Sequence, residues 1–191
     1  VTPGKEAKLT VQVIDRRDDL SGGSAYAKHN IGGILRDVQL LALSPLHLEQ
    51  ISIKTDLDDK YRDASLNIDI QLNKTEKCIV RFKLRDWEGK LVSLPLYQIK
   101  MAGDSSVARI KIPVKNPKKW DSEHPFLYTL TTEIFSIDKK LLTTVSNKIG
   151  FREIEIKKNK LLVNGEIVKL RGACRHDSHP LLGRISSKEY D

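Results

Sequence analysis

Apolar residues recur at every second position along most of this chain. Leu66, Ile68, Ile70 and Leu72 alternate with Asn67, Asp69 and Gln71, and Leu9, Val11 and Val13 alternate with Thr10 and Gln12. Ile79 to Leu84 and Val107 to Ile112 continue the pattern. Side chains on a strand point to opposite faces in turn, so a period of two marks strands with one face in a core and one in water. No segment shows the 3.6-residue period of an amphipathic helix beyond about two turns.

The spacing predicts strands near 9–14, 37–43, 48–54, 64–72, 79–85, 107–114, 128–137 and 141–149. Asp86-Trp87-Glu88-Gly89-Lys90 and Asp138-Lys139-Lys140 read as polar turns between strands. The seven or so short strands over 47–152 predict an all-β fold, a β-sandwich of immunoglobulin-like architecture. The Cys…Trp…Cys spacing of antibody domains is absent, so the likeness is one of architecture. Residues 1–46 hold two strands around a polar, Gly-rich stretch and are too few to bury a core alone. Residues 153–191 open with a hairpin. Asn164-Gly165 lies between Leu161-Leu162-Val163 and Ile167-Val168, and this dipeptide supplies the two positive-φ residues of a tight turn. Lys169 to Ala173 then reads as one more short strand.

Hydrophobic content of 39% and charged content of 30% suit a soluble globular chain. No apolar run approaches the roughly 20 residues that span a bilayer, so no membrane partner is expected. The formal net charge is +8. The basic residues are spread along strands and turn edges, and aromatics do not interleave with them as a nucleic-acid stacking surface requires. The charge reads as a solvated lysine-rich surface, with no nucleic-acid partner. Cys78 and Cys174 make neither a disulfide framework nor a metal site, and both are expected free, at least one of them buried. The chain starts Val1-Thr2-Pro3-Gly4 with no signal pattern. It reads as a piece excised from a longer protein, with cytoplasm and periplasm both open.

Four short motifs occur in an informative order. Gly33-Ile34-Leu35-Arg36-Asp37-Val38 is followed by Trp120 through Pro125-Phe126-Leu127-Tyr128, then Gly150-Phe151-Arg152. Last come Asn164-Gly165, Arg171-Gly172 and Arg175-His176-Asp177-Ser178-His179-Pro180-Leu181. Together they resemble the central stretch of glycoside hydrolase family 2 enzymes of the β-galactosidase type. The resemblance implies that 1–46 is the end of a jelly-roll sugar-binding domain, 47–152 the immunoglobulin-like domain, and 153–191 the start of a truncated (β/α) barrel. Cys174 stands where the family commonly has Asn, Leu35 where it has an aromatic, and Ser178 where it has a second His. β-Glucuronidase or another family 2 specificity therefore stays open beside β-galactosidase.

Functional side chains of a (β/α) barrel sit at the C-terminal ends of its strands. Arg175 and His176 follow the strand expected at 169–173. The resemblance implies that His176, with Arg175, lines the sugar pocket, while Asp177 and His179 are weaker candidates. The bland alternative is a polar loop packed on a neighbouring domain. Trp120, Pro125 and Tyr128 read as packing residues, and Arg36-Asp37 as an ion pair. His29, His47 and His124 have no partner at ligand spacing.

Retention at a glycosidic carbon needs two carboxylates about 5–5.5 Å apart. Glu123, Glu133, Glu153 and Glu155 match no such context and read as strand-face or turn charges. The resemblance implies that both catalytic glutamates, and the ligands of a Mg2+ ion, lie downstream. No catalytic residue, metal ligand or cofactor is expected within the chain. The parent would hydrolyse terminal β-galactosides, and a homo-oligomeric parent is open. The rival is a free-standing carbohydrate-binding or adhesion sandwich, which would need an exposed aromatic row or a calcium loop that the sequence does not offer.

Overall fold

The computed structural model describes residues 5–6, 8–14, 34 and 37–174. Among them every regular element is a strand: β1 (Leu48–Leu57), β2 (Ala64–Leu72), β3 (Cys78–Arg85), β4 (Leu91–Val92), β5 (Gln98–Met101), β6 (Val107–Val114), β7 (Tyr128–Phe135), β8 (Leu141–Ile149), β9 (Ile154–Lys157), β10 (Lys160–Val163) and β11 (Glu166–Ile167). Residues Ala42–Gly172 form one compact unit.

Two antiparallel sheets make the sandwich. One runs β1-β2-β6, the other β4-β3-β7-β8, with β5 also on β3. The alternation explains which face is inside. On β2, Leu66, Ile68 and Ile70 are buried, and Ile112 and Ile110 on β6, the cross-strand partners of Leu66 and Ile68, are buried with them. They share one core with Val80, Phe82 and Leu84 of β3 and with Leu130 and Ile134 of β7. Burying a side chain of this size is worth about 1.5–3 kcal/mol, so the sandwich is held largely by the inner faces of these four strands.

β3 is paired along one edge by two short strands in succession. β5 takes Cys78–Arg81 and β4 takes Leu84 and Arg85, and between them Phe82 N donates to Tyr97 O at 2.7 Å. The sequence reading missed both strands, because two and four residues are too few to show a period. The strands expected near 9–14 and 37–43 are not formed. Leu9, Val11, Val13, Val38 and Leu40 alternate correctly but stand exposed and without a ladder partner among the described residues. Alternation marks a half-buried strand, but pairing is what makes one. Lys169–Ala173 likewise has no strand.

The hairpin at Asn164-Gly165 is present and belongs to a separate three-stranded sheet, ordered β11-β10-β9. Two tight turns build it. Lys158-Asn159 and Asn164-Gly165 all have positive φ, at 49°, 59°, 53° and 82°, the backbone that right-twisting hairpins favour. Cys78 is buried and Cys174 exposed, and both are free.

Candidate functional site

Two surfaces flank the β9–β11 sheet. Alternation sends Ile154, Leu161, Val163 and Val168 to one side, where with Trp120, Arg152 and Leu170 they line a cavity of about 610 Å³. Ile154 and Leu170 are exposed, as is Ile156 on the same side. Asp121, Glu123, His124 and Glu166 edge the cavity. The other side carries Glu155 and Lys157, which with Asp56, Asp58, Asp59, Tyr61 and Glu153 line a smaller cleft of about 300 Å³.

Trp120 organises the first surface. Its amide donates to Phe151 O at 2.9 Å, and the Arg152 guanidinium lies 4.4 Å above its ring. Gly150 is pressed against the indole, where a Cβ would stand 2.9 Å from Trp120 Cβ and Cγ. The turn that follows is built by Asp121 Oδ1, which accepts from Glu123 N at 2.9 Å and His124 N at 2.7 Å. Burial pushes the Asp121 carboxyl up, but these amides outweigh it and leave it below its ordinary range. With Gly150 pressed against it and the Arg152 guanidinium over its ring, Trp120 is engaged in packing.

The aromatic residues nearby pack on one another. Trp87 meets Phe126 at 5.2 Å and Tyr128 at 5.8 Å between ring centroids, and Tyr128 meets Phe151 edge-on at 4.9 Å. The Trp87 and Phe126 planes are tilted by 57°, and Lys118 Nζ sits over both rings. No flat row results. The Tyr128 hydroxyl accepts from Lys118 N at 2.9 Å.

On the second surface Tyr61 OH donates to Glu155 Oε2 at 2.5 Å, and Lys157 Nζ pairs with Glu155 Oε1 at 2.5 Å. Lys157, then Tyr61, holds the Glu155 carboxyl below its ordinary range, and Glu155 raises both partners in turn. Glu153 Oε2 accepts from Leu57 N at 3.1 Å. Glu133 is buried against Lys83 Nζ at 2.6 Å on the outer face of its sheet. Three of the four glutamates weighed from the sequence are thus engaged in structure, and Glu123 is an exposed turn residue. Among the described residues no group of three or more His, Cys, Asp or Glu is placed to hold a metal ion.

Arg175, His176, Asp177 and His179, together with Arg36 and His29, lie outside the described residues. His47 Nδ1 is 2.7 Å from Ser44 O, and His124 Nδ1 is 3.2 Å from Asp121 Oδ1, so both serve local turns. The sequence carries no signal for Tyr61, whose partner lies 94 residues away. It marked Asn164 only as a turn residue.

Comparison with known proteins bears on what such a scaffold serves. A β-galactosidase of Clostridium acetobutylicum is 30% identical over 184 residues, which is 96% of this chain and 20% of that protein. One from Priestia megaterium is 29% identical over 167 residues, 84% of this chain and 16% of its own length. The chain therefore spans about a fifth or less of the curated relatives it matches. Among solved structures, the β-glucuronidase of Parabacteroides merdae superposes with a TM-score of 0.65 at 23% identity, over 76% of this chain and 18% of that one. At that identity the likeness is one of fold. The family model described as Glycosyl hydrolases family 2 matches residues 46–152, over half of the chain and the whole of the sandwich, and the chain belongs to that family.

Proposed function

We propose that this chain is the non-catalytic centre of a β-galactosidase that cleaves terminal β-galactosides with retention. The observation that carries the reading is the alignment with β-galactosidases over as much as 96% of the chain. The geometry supports the non-catalytic part. Of the four glutamates weighed from the sequence, Glu153 accepts from the Leu57 amide, and Glu133 and Glu155 pair with lysines. The sandwich acts as a spacer that keeps a sugar-binding domain and a catalytic domain in register. Exposed apolar residues beside Trp120 suit that role, because a soluble protein rarely leaves such a face uncovered.

In this reading the acid/base and nucleophile glutamates, and the ligands of a Mg2+ ion, come from elsewhere in the longer protein. His176, with Arg175 beside it, contacts the galactose. A β-glucuronidase specificity is the second reading, kept open by Leu35, Cys174 and Ser178, where the β-galactosidase pattern is broken. The test is steady-state kinetics of the full-length gene product on aryl β-galactoside and aryl β-glucuronide. We expect kcat/KM to favour the galactoside by more than about tenfold, equivalent to roughly 1.4 kcal/mol. Preference for the glucuronide would replace the first reading by the second.

A further inference from the structure

We propose that Asn164, with Tyr61, fastens the β9–β11 sheet to the sandwich, so that the segment after Arg152 is held by the sandwich and does not hinge on a linker. The inference stands on the described geometry and does not depend on which glycoside the longer protein cleaves.

The turn at 164–165 needs positive φ, and glycine would satisfy that need at both positions. Asparagine at 164 adds two hydrogen bonds that the turn does not require. Asn164 Oδ1 accepts from Glu153 N at 2.9 Å, and Asn164 Nδ2 donates to Trp120 O at 3.1 Å. The first ties the turn to the start of β9 and the second ties it to the Trp120 segment of the sandwich. Asn164 N also donates to Glu153 O at 2.9 Å. Both ends of the side-chain amide are therefore occupied, and in opposite senses, which fixes its orientation.

Tyr61 grips the sheet from its other side. It sits in the β1–β2 turn at φ 51°, donates to Glu155 on β9, and lies against Gly165. The sheet is thus held at one turn by two sandwich segments, on either side of it. Its other turn supplies the internal contrast. Asn159 has a similar φ of 59°, is exposed, and makes no side-chain hydrogen bond among the described residues. Left-handed backbone alone does not bring an asparagine to the sandwich.

The experiment compares Asn164→Gly with Asn159→Gly in the 191-residue chain, by amide hydrogen exchange resolved to segments. Both changes keep the turn backbone easy, so both variants are expected to fold. Asn164→Gly should speed exchange of the β9–β11 amides at least about tenfold while β3 and β7 keep their protection. Asn159→Gly should change the same amides less than about threefold, and Tyr61→Phe should act in the same direction as Asn164→Gly. Equal effects of the two glycine variants, no effect of Asn164→Gly, or a loss spread evenly into β3 and β7 would each overturn the proposal.

Discussion

A Cβ added to Gly165 would stand 2.5 Å from Tyr61 Cε2, closer than side chains approach one another. Gly165 also has a φ of 82°. Gly89 has the same backbone, at 83°, with nothing within 4 Å of an added Cβ. The two glycines therefore separate backbone strain from contact.

Alanine at either position meets the left-handed penalty of about 1–2 kcal/mol. Gly165→Ala should cost more than Gly89→Ala in urea denaturation, by about 1 kcal/mol or more, since bulk forced into a packed site adds about 1–3 kcal/mol. In a Tyr61→Ala background the excess should disappear, because the two residues are in contact and their effects couple. An excess that survives without Tyr61 would place its origin elsewhere.

Tyr128 and Phe151 set the scale of the core. Phe151 is fully buried against the Tyr128 ring, and Phe151→Ala should cost about 3–5 kcal/mol. That is a large part of the roughly 5–15 kcal/mol that holds a domain together. Tyr128→Phe keeps the packing and loses the bond from Lys118 N, for about 0.5–1.5 kcal/mol. Equilibrium unfolding should rank the two in that order by a clear margin. A reversed order would mean that the hydroxyl, and not the ring pair, anchors this end of the sandwich.

The Tyr61–Glu155–Lys157 cluster gives a pH dependence with a defined sign. Lys157 first, and Tyr61 second, depress the folded pKa of Glu155. A depressed carboxylate contributes stability that is present above its unfolded value, near 4.3, and is lost as pH falls through the lower folded value. Lys157 and Tyr61 are shifted upward, so their share is present below about pH 10 and is lost as pH rises past it. Exchange of the β9–β11 amides, corrected for the intrinsic pH effect, should be slowest between these limits. Glu155→Gln should flatten the acid side. An unchanged acid limb in that variant would assign it to another carboxylate.

What could be read from the sequence follows the physics of each element. β2 and β6 were legible because each buries one face and repeats it long enough to count. The Asn164-Gly165 turn was legible because few residues adopt positive φ cheaply. β9 was not, since its turn, Lys158-Asn159, carries no glycine to announce it. Residues 9–14 and 37–43 misled for the opposite reason, showing the pattern without the pairing. Tyr61 could not be found at all, because a contact across 94 residues leaves no local trace. Arg175 and His176, the sugar-contacting candidates, lie outside the described residues.

In the proposed reading this chain supplies scaffold and not chemistry. The most direct measurement is hydrolysis of an aryl β-galactoside by the purified 191-residue protein, with folding verified by far-UV circular dichroism. No turnover above the uncatalysed rate is expected, since general acid and nucleophile must both be present and facing each other. Reproducible turnover by the folded chain, abolished by Glu153→Gln or Glu155→Gln, would contradict it and turn the cleft beside Tyr61 into an active site.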